Sequence, residues 1–354
     1  ESLKQLGHSF QTTSDTEVIL HLYAEYGLDF IQQLNGMFAF LLYDSGKNQI
    51  IAARDHFGIK PLFYFADEKY LFFASEIKAL LQHPAVTSEP DYEGIYDYLS
   101  FQYVLDGVTM FKNIRKISPG HYQVIDLNSM SIHTVRFWEP NFKVDNHHTE
   151  AHFIYELQNL LVDTINIQLR SDVPVGAYLS GGMDSSLVTI LAAERYPGRI
   201  KTFTGAFREG PQFDESRYAK EVAEHCGAEM FMVYPTESDF IDLLPRLIYH
   251  MDEPAAGPGL FPQFMVSRLA SQEVKVVLGG QGGDEIFGGY TRFVVAYLEQ
   301  ALKGAIFETH EEGEHIVSLT SILPNLPYLK QYVPMLKKFW QKDVFEDSDR
   351  RYFR

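Results

Sequence analysis

Ser180-Gly181-Gly182-Met183-Asp184-Ser185-Ser186 packs three hydroxyls, two adjacent glycines and one carboxylate into a single short string. The apolar run before it, residues 173–179, reads as a buried strand. Leu187, Ile190 and Leu191 after it repeat at helical spacing. Strand, glycine turn and helix place successive backbone N–H groups at a helix N-terminus, where the positive end of the dipole favours a phosphate. Ser180, Ser185 and Ser186 add hydroxyl donors. No lysine follows the glycines, so this is not the loop that grips a β- or γ-phosphate through its lysine. Asp184 suits such an anion pocket only with a cation between carboxylate and phosphate, and Mg²⁺ prefers both kinds of oxygen. A plain strand-to-helix connection is the alternative for the two glycines taken alone.

The densest glycine region is a second string, Gly279-Gly280-Gln281-Gly282-Gly283-Asp284-Glu285-Ile286-Phe287-Gly288-Gly289-Tyr290. Each glycine costs roughly 0.5–1 kcal/mol of backbone entropy relative to alanine, so the cluster predicts a close approach of backbone to a ligand. Asp284 and Glu285 lead into Ile286-Phe287, an apolar pair expected to turn away from solvent.

Two kinds of scaffold must hold these strings. Around them, segments that read as strands at 201–207, 230–234 and 274–278 alternate with helical patterns at 153–165, 214–227 and 261–272, which predicts a parallel sheet wound on both sides. Ligands of such sheets sit beyond the carboxyl ends of the strands, where both glycine strings fall. Ala219, Val222, Ala223 and Cys226 share one helix face, so the one cysteine reads as core packing. The first third differs. Residues 37–43 and 49–54, and then 61–65 and 70–74, read as strand pairs joined by short turns, with a helix at 92–101. Ser14 three residues before Glu17 predicts a capping box. Residues 141–150 read as a linker, giving a mostly antiparallel α+β portion at 1–146 and a parallel α/β domain at 147–354.

The S-G-G-x-D-S-S string resembles the pyrophosphate loop of the N-type ATP pyrophosphatases, which cut ATP between its α- and β-phosphates. With the 279–290 string and the first third of the chain, the resemblance narrows to glutamine-dependent asparagine synthetases, over residues 6–293. The strings at 13–17, 34–39, 53–62 and 73–78 look like the glutaminase domain of class II, N-terminal nucleophile (Ntn-type) amidotransferases. This implies ATP and Mg²⁺ as cofactors and aspartate, glutamine or ammonia as substrates. Asp15 would bind the α-amino group of glutamine, a carboxylate for an ammonium. Leu179, Gly205, Gly279 and Gly280 would contact ATP with Ser180, Gly181, Gly182, Ser185 and Ser186, and Asp184 and Asp284 would share the Mg²⁺ on pyrophosphate. Asp252-Glu253-Pro254 matches a family motif at the edge of the site, although a helix stop before proline also explains it.

Two departures stand out. The family's nucleophile is an N-terminal cysteine, and no cysteine precedes Cys226. Residues ahead of Glu1 are the expected remedy, with free ammonia as the other nitrogen source. Asparagine synthetases carry a glutamate base where this chain has Gln281, and an amide is too weakly basic for that role. Acceptor acids other than aspartate, or an inactive nucleotide-binding homologue, therefore stay open. A catalytic lysine is expected C-terminal of the second string; Lys330, Lys337, Lys338 and Lys342 fall there without a defensible match.

Composition closes other routes. At 354 residues, 45% hydrophobic and 22% charged, the chain suits two globular domains. A formal charge of −17 argues against nucleic acid or an anionic membrane as partner. A single cysteine excludes a disulfide framework and fits a reducing compartment. No targeting segment or long apolar run is legible, so the expected location is cytoplasmic, with a homodimer as the assembly to test.

Overall fold

The computed structural model describes residues 1–307 apart from 106, 143, 144, 146, 209, 211–213, 256 and 258, together with Val333 and Lys337. The chain forms two compact units, Glu1–Phe142 with Leu243–Pro258, and Lys143–Asp242 with Gly259–Arg354.

The first unit contains α1 (Ser2–Gln5), α2 (Asp15–Tyr26), a 3₁₀ turn (Gly27–Gln33), β1 (Ala39–Asp44), β2 (Gln49–Arg54), β3 (Phe63–Ala66), β4 (Leu71–Ala74), α3 (Ile77–Leu80), α4 (Tyr92–Phe101), β5 (Ile114–Lys116), β6 (His121–Asp126) and β7 (Ser131–Arg136). Its strands form two antiparallel sheets, ordered β1-β2-β6-β7 and β4-β3-β5. Period-two alternation sorts the side chains of β2. Ile51 and Ala53 join Phe30, Ile31 and Leu42 under α2, where Ile19, Leu22 and Tyr23 close the cluster. Ile50 and Ala52 face the other way, onto Leu62, Tyr64 and Phe73 of the second sheet. Phe63, Phe65 and Phe72 then pack on Ile77 and Leu80 of α3. Helix, sheet, sheet and helix are thus stacked in four layers. The three-residue β5 escapes a sequence reading because Ile114-Arg115-Lys116 is too short to show alternation.

The string at 53–62 is a structural corner. Asp55 is 1% exposed, and its carboxylate accepts from the backbone N–H groups of Phe38, Phe57, Ile59 and Lys60. Beside it the Arg54 guanidinium donates to the carbonyls of Gly58, Lys60 and Ile117. The buried carboxylate and the half-buried guanidinium are therefore both satisfied by backbone, which fixes the path from β2 to β3. The segment Leu243–Pro258 completes this unit in the same way. Asp252, at φ +64°, accepts from Ile77 N at 2.7 Å and Lys78 N at 3.2 Å. Its carboxylate also pairs with Lys78 Nζ at 2.9 Å, so it caps α3, which lacks a cap of its own.

The second unit runs through α5 (Glu150–Gln168), β8 (Val175–Tyr178), α6 (Met183–Ala193), β9 (Lys201–Gly205), α7 (Ser216–His225), β10 (Glu229–Val233), α8 (Glu237–Met251), α9 (Leu260–Ala270), β11 (Val276–Leu278), α10 (Gly283–Phe287) and α11 (Thr291–Phe307). Residues of α8 from Leu243 onward belong to the first unit. The sheet order is β10-β9-β8-β11, and every pairing is parallel. Val175, Ala177 and Leu179 pack with Ala192 of α6 and Ala219 and Ala223 of α7 on one face. Phe203 and Tyr178 pack with Val266 and Ala270 of α9 on the other. The sheet is doubly wound, with a packed core on each face. Cys226 lies against the first of these cores, and burial pushes its thiol above the usual range, which keeps it protonated and inert. Among the described residues no helix is long and apolar enough to cross a membrane.

Strand order locates the site. From β8 the chain steps outward to β9 and β10, then returns to lay β11 on the opposite side of β8. The order therefore reverses between β8 and β11, and a crevice opens beyond the carboxyl ends of strands at such a switch point.

Candidate active site

The turn after β8 is braced from within. Gly181 lies at φ +92°, where a Cβ would stand 2.9 Å from the carbonyl oxygen of Glu215. The Ser185 hydroxyl donates to the carbonyl of Gly182 at 3.1 Å and accepts from Ser180 N at 3.3 Å. It also lies 2.9 Å from Ser180 Oγ, which accepts from Gly182 N at 3.2 Å. Both hydroxyls thus hold the turn itself. The first intrahelical bond of α6 is Ser186 N to Gly182 O at 3.0 Å, so the N–H groups of Met183, Asp184 and Ser185 form the donor end of the helix. Leu179, fully buried, donates its N–H to Phe203 O and accepts from Thr204 Oγ1 at 2.6 Å. Gly205 ends β9, where a Cβ would stand 3.1 Å from Val266.

The turn after β11 presses directly on this one. A Cβ on Gly280 would stand 2.6 Å from the backbone nitrogen of Ser185, and one on Gly283 would stand 2.5 Å from Cγ of Asp184. Gly280 faces backbone and has no room for a side chain, and a side chain at 283 would displace the Asp184 carboxylate. The contact brings Asp184 beside α10. Burial raises the proton affinity of the Asp184 carboxyl, and the negative charges of Asp284 and Glu285 raise it further, with no cation among the contributors. Glu285 is held ionised by the Tyr290 hydroxyl, which donates to it at 2.5 Å. Among the described residues no group of three or more His, Cys, Asp or Glu side chains could hold a metal alone. An uncompensated carboxylate beside two others fits a hard cation whose remaining oxygens come from a bound phosphate. One expectation fails here: Ile286 and Phe287 are 67% and 56% exposed. Hydrophobicity does not supply a partner, and α10 buries none of its residues.

Gln281 is exposed, and its Nε2 donates to Gln263 Oε1 of α9 at 3.1 Å. Sequence reasoning missed Gln263 altogether, because on a helix its polarity reads as a solvated face.

In the first unit Asp15 opens α2 and is exposed behind the cap residue Ser14, whose hydroxyl accepts from Thr16 N at 3.2 Å. The reciprocal half of the predicted capping box is absent. Glu17 reaches past Ser14 to accept from the backbone of Gln11 and Thr12 at 2.7 Å each, tying down the loop before Asp15. With the Thr12 hydroxyl as the leading cause, these bonds pull its carboxyl down to about 2. Asp252 and Glu253 are spent on backbone as well, Glu253 accepting from Met110 N at 2.5 Å. Lys330, Lys338 and Lys342 lie outside the described residues; Lys337 is exposed.

The family model described as "Asparagine synthase" matches residues 156–352, and that described as "Glutamine amidotransferase domain" matches residues 1–138. Asparagine synthetase (glutamine-hydrolysing) 1 of Bacillus subtilis strain 168 is 37% identical over 290 residues, covering 82% of this chain and 45% of that protein. A putative asparagine synthetase (glutamine-hydrolysing) of Mycobacterium tuberculosis strain H37Rv is 37% identical over 293 residues, covering 81% and 44%. Another, numbered 2, from Methanocaldococcus jannaschii is 35% identical over 291 residues, covering 81% and 56%. The chain thus spans about half the length of the curated relatives it matches. A match over more than half of its residues, including both glycine strings, makes the chain a member of the asparagine synthase family.

Proposed function

We propose that this chain belongs to an ATP-dependent ligase that converts aspartate to asparagine with nitrogen drawn from glutamine. The observation that supports the reading best is the interlock of the β8 and β11 turns, which sets Asp184 against Gly283 at the switch point of the sheet. In the first step a side-chain carboxylate oxygen of aspartate bonds to the α-phosphorus of ATP, the bond to the β-phosphate bridge breaks, and pyrophosphate leaves. In the second, ammonia bonds to the acyl carbon, the bond to AMP breaks, and one proton is released.

Positioning and charge account for the first step. The N–H groups of Met183, Asp184 and Ser185, with Gly181, Gly182, Ser186, Gly279 and Gly280 alongside, would line the place of the pyrophosphate. Asp184 and Asp284 would hold Mg²⁺, which neutralises charge on the leaving group when bound. Asp15 would bind the α-amino group of glutamine. Gln281 cannot serve as a base but accepts a hydrogen bond through Oε1.

Gln281 also favours a second reading, in which the acceptor is a carboxylate other than aspartate. The two separate by product: the full-length protein given ATP, Mg²⁺, ammonia and a panel of acids is expected to form asparagine from aspartate. Amide from a different acid alone would establish the second reading, and no amide from any acid would reject both.

A further inference from the structure

A polarised chain of hydrogen bonds runs into Gln281 from the far face of the sheet. Ser267 commits its one hydroxyl proton to the backbone carbonyl of Gln263, a turn back on α9, at 2.7 Å. Its oxygen must therefore accept from its other two partners, the Tyr178 hydroxyl at 2.8 Å and Gln263 Nε2 at 3.3 Å. Anchored by its nitrogen, the Gln263 amide turns Oε1 outward, where it takes Gln281 Nε2 at 3.1 Å. The Gln281 amide is set in turn: nitrogen toward Gln263, oxygen folded back over Gly279. A carboxylate at 281 would oppose Gln263 Oε1 with no proton between two acceptors. Reversing the Gln263 amide would turn its oxygen on Ser267, whose proton would then have to give up the backbone carbonyl of Gln263.

Resting on the ligase reading above, we propose that Gln263 is a positioning residue: it presents the carbonyl oxygen of Gln281 to incoming ammonia and makes an amide, not an acid, the compatible side chain at 281. A neutral acceptor orients NH₃ by one of its N–H bonds without drawing in ammonium, which has no lone pair to attack with. As the C–N bond forms and the bond to AMP breaks, the surplus proton passes to water at the exposed Gln281, because neither amide takes it.

Gln263→Met and Gln263→Glu test this in the full-length protein, with ammonium chloride varied at saturating ATP and acid. Gln263→Met keeps the length but removes the acceptor. It is expected to raise KM for ammonia about three- to tenfold, the worth of one neutral hydrogen bond, while pyrophosphate formation without ammonia keeps its rate. Gln263→Glu still accepts from Gln281 Nε2 through one oxygen, its other oxygen taking the Ser267 proton from the backbone carbonyl of residue 263, and is expected to restore KM to within about twofold. An unchanged KM in Gln263→Met, a raised KM in both variants, or an equal fall in both steps overturns the proposal. Wild-type protein that forms no pyrophosphate with any acid overturns the ligase reading and this one with it.

Discussion

Asp184 is a side chain whose charge is at odds with its surroundings. Burial and the neighbouring charges of Asp284 and Glu285 raise its pKa above the ordinary 3.8. A carboxyl raised on folding takes up protons in the native state that the unfolded chain lacks, so its contribution to stability declines as pH rises through that range. At neutral pH the ionised group therefore penalises the ligand-free fold. Asp184→Asn, which removes the charge at constant shape, is expected to raise the thermal midpoint at pH 7 without Mg²⁺. The gain should vanish below about pH 3.8. Equal midpoints of variant and wild type at pH 7, by calorimetry, would remove the claim that the site is strained by charge. Asp55 and Asp252 differ: backbone donors, joined at Asp252 by Lys78 Nζ, engage their carboxylates, which marks them as structural.

At the scale of elements, the close contact of two turns is the feature that counts. Gly280 meets the backbone of α6 rather than the end of a movable side chain, so Gly280→Ala has no rotamer to absorb the clash. It is expected to cost about 1–3 kcal/mol of stability in denaturant titration and to slow pyrophosphate formation roughly a hundredfold, since a misplacement near 1 Å carries that penalty. Wild-type rates in Gly280→Ala would mean that the turns need not touch. The units that hold this contact are readable from sequence, because residues 173–191 and 274–284 each print an apolar run, glycines and a helical pattern in one stretch. Their mutual contact is readable only by resemblance, since it joins residues about a hundred positions apart. Glu17 shows the local limit: the S-x-x-E spacing is compatible with a capping box, yet its carboxylate finds two nearer-oriented donors in Gln11 and Thr12. Gln263 and the α3-capping role of Asp252 leave no periodic trace at all, since each depends on a partner brought in by the fold.

For the whole molecule, alternation in short strands supports the four-layer unit, and strands alternating with helices support the doubly wound one. Both fold expectations are met, and the return of Leu243–Pro258 to the first unit is the part that composition does not betray. A net charge of −17 opposes the binding of phosphates, so the proposed nucleotide site would depend on local backbone N–H groups and a cation. What the account claims is that ATP is cut between its α- and β-phosphates at the meeting of the β8 and β11 turns. Phosphorus NMR of the full-length protein with ATP, Mg²⁺, acceptor acid and ammonia reads this directly. The account predicts AMP and pyrophosphate in equal amounts, and loss of both in Asp184→Asn and in Asp284→Asn; ADP and orthophosphate, or undiminished pyrophosphate in either variant, would contradict it.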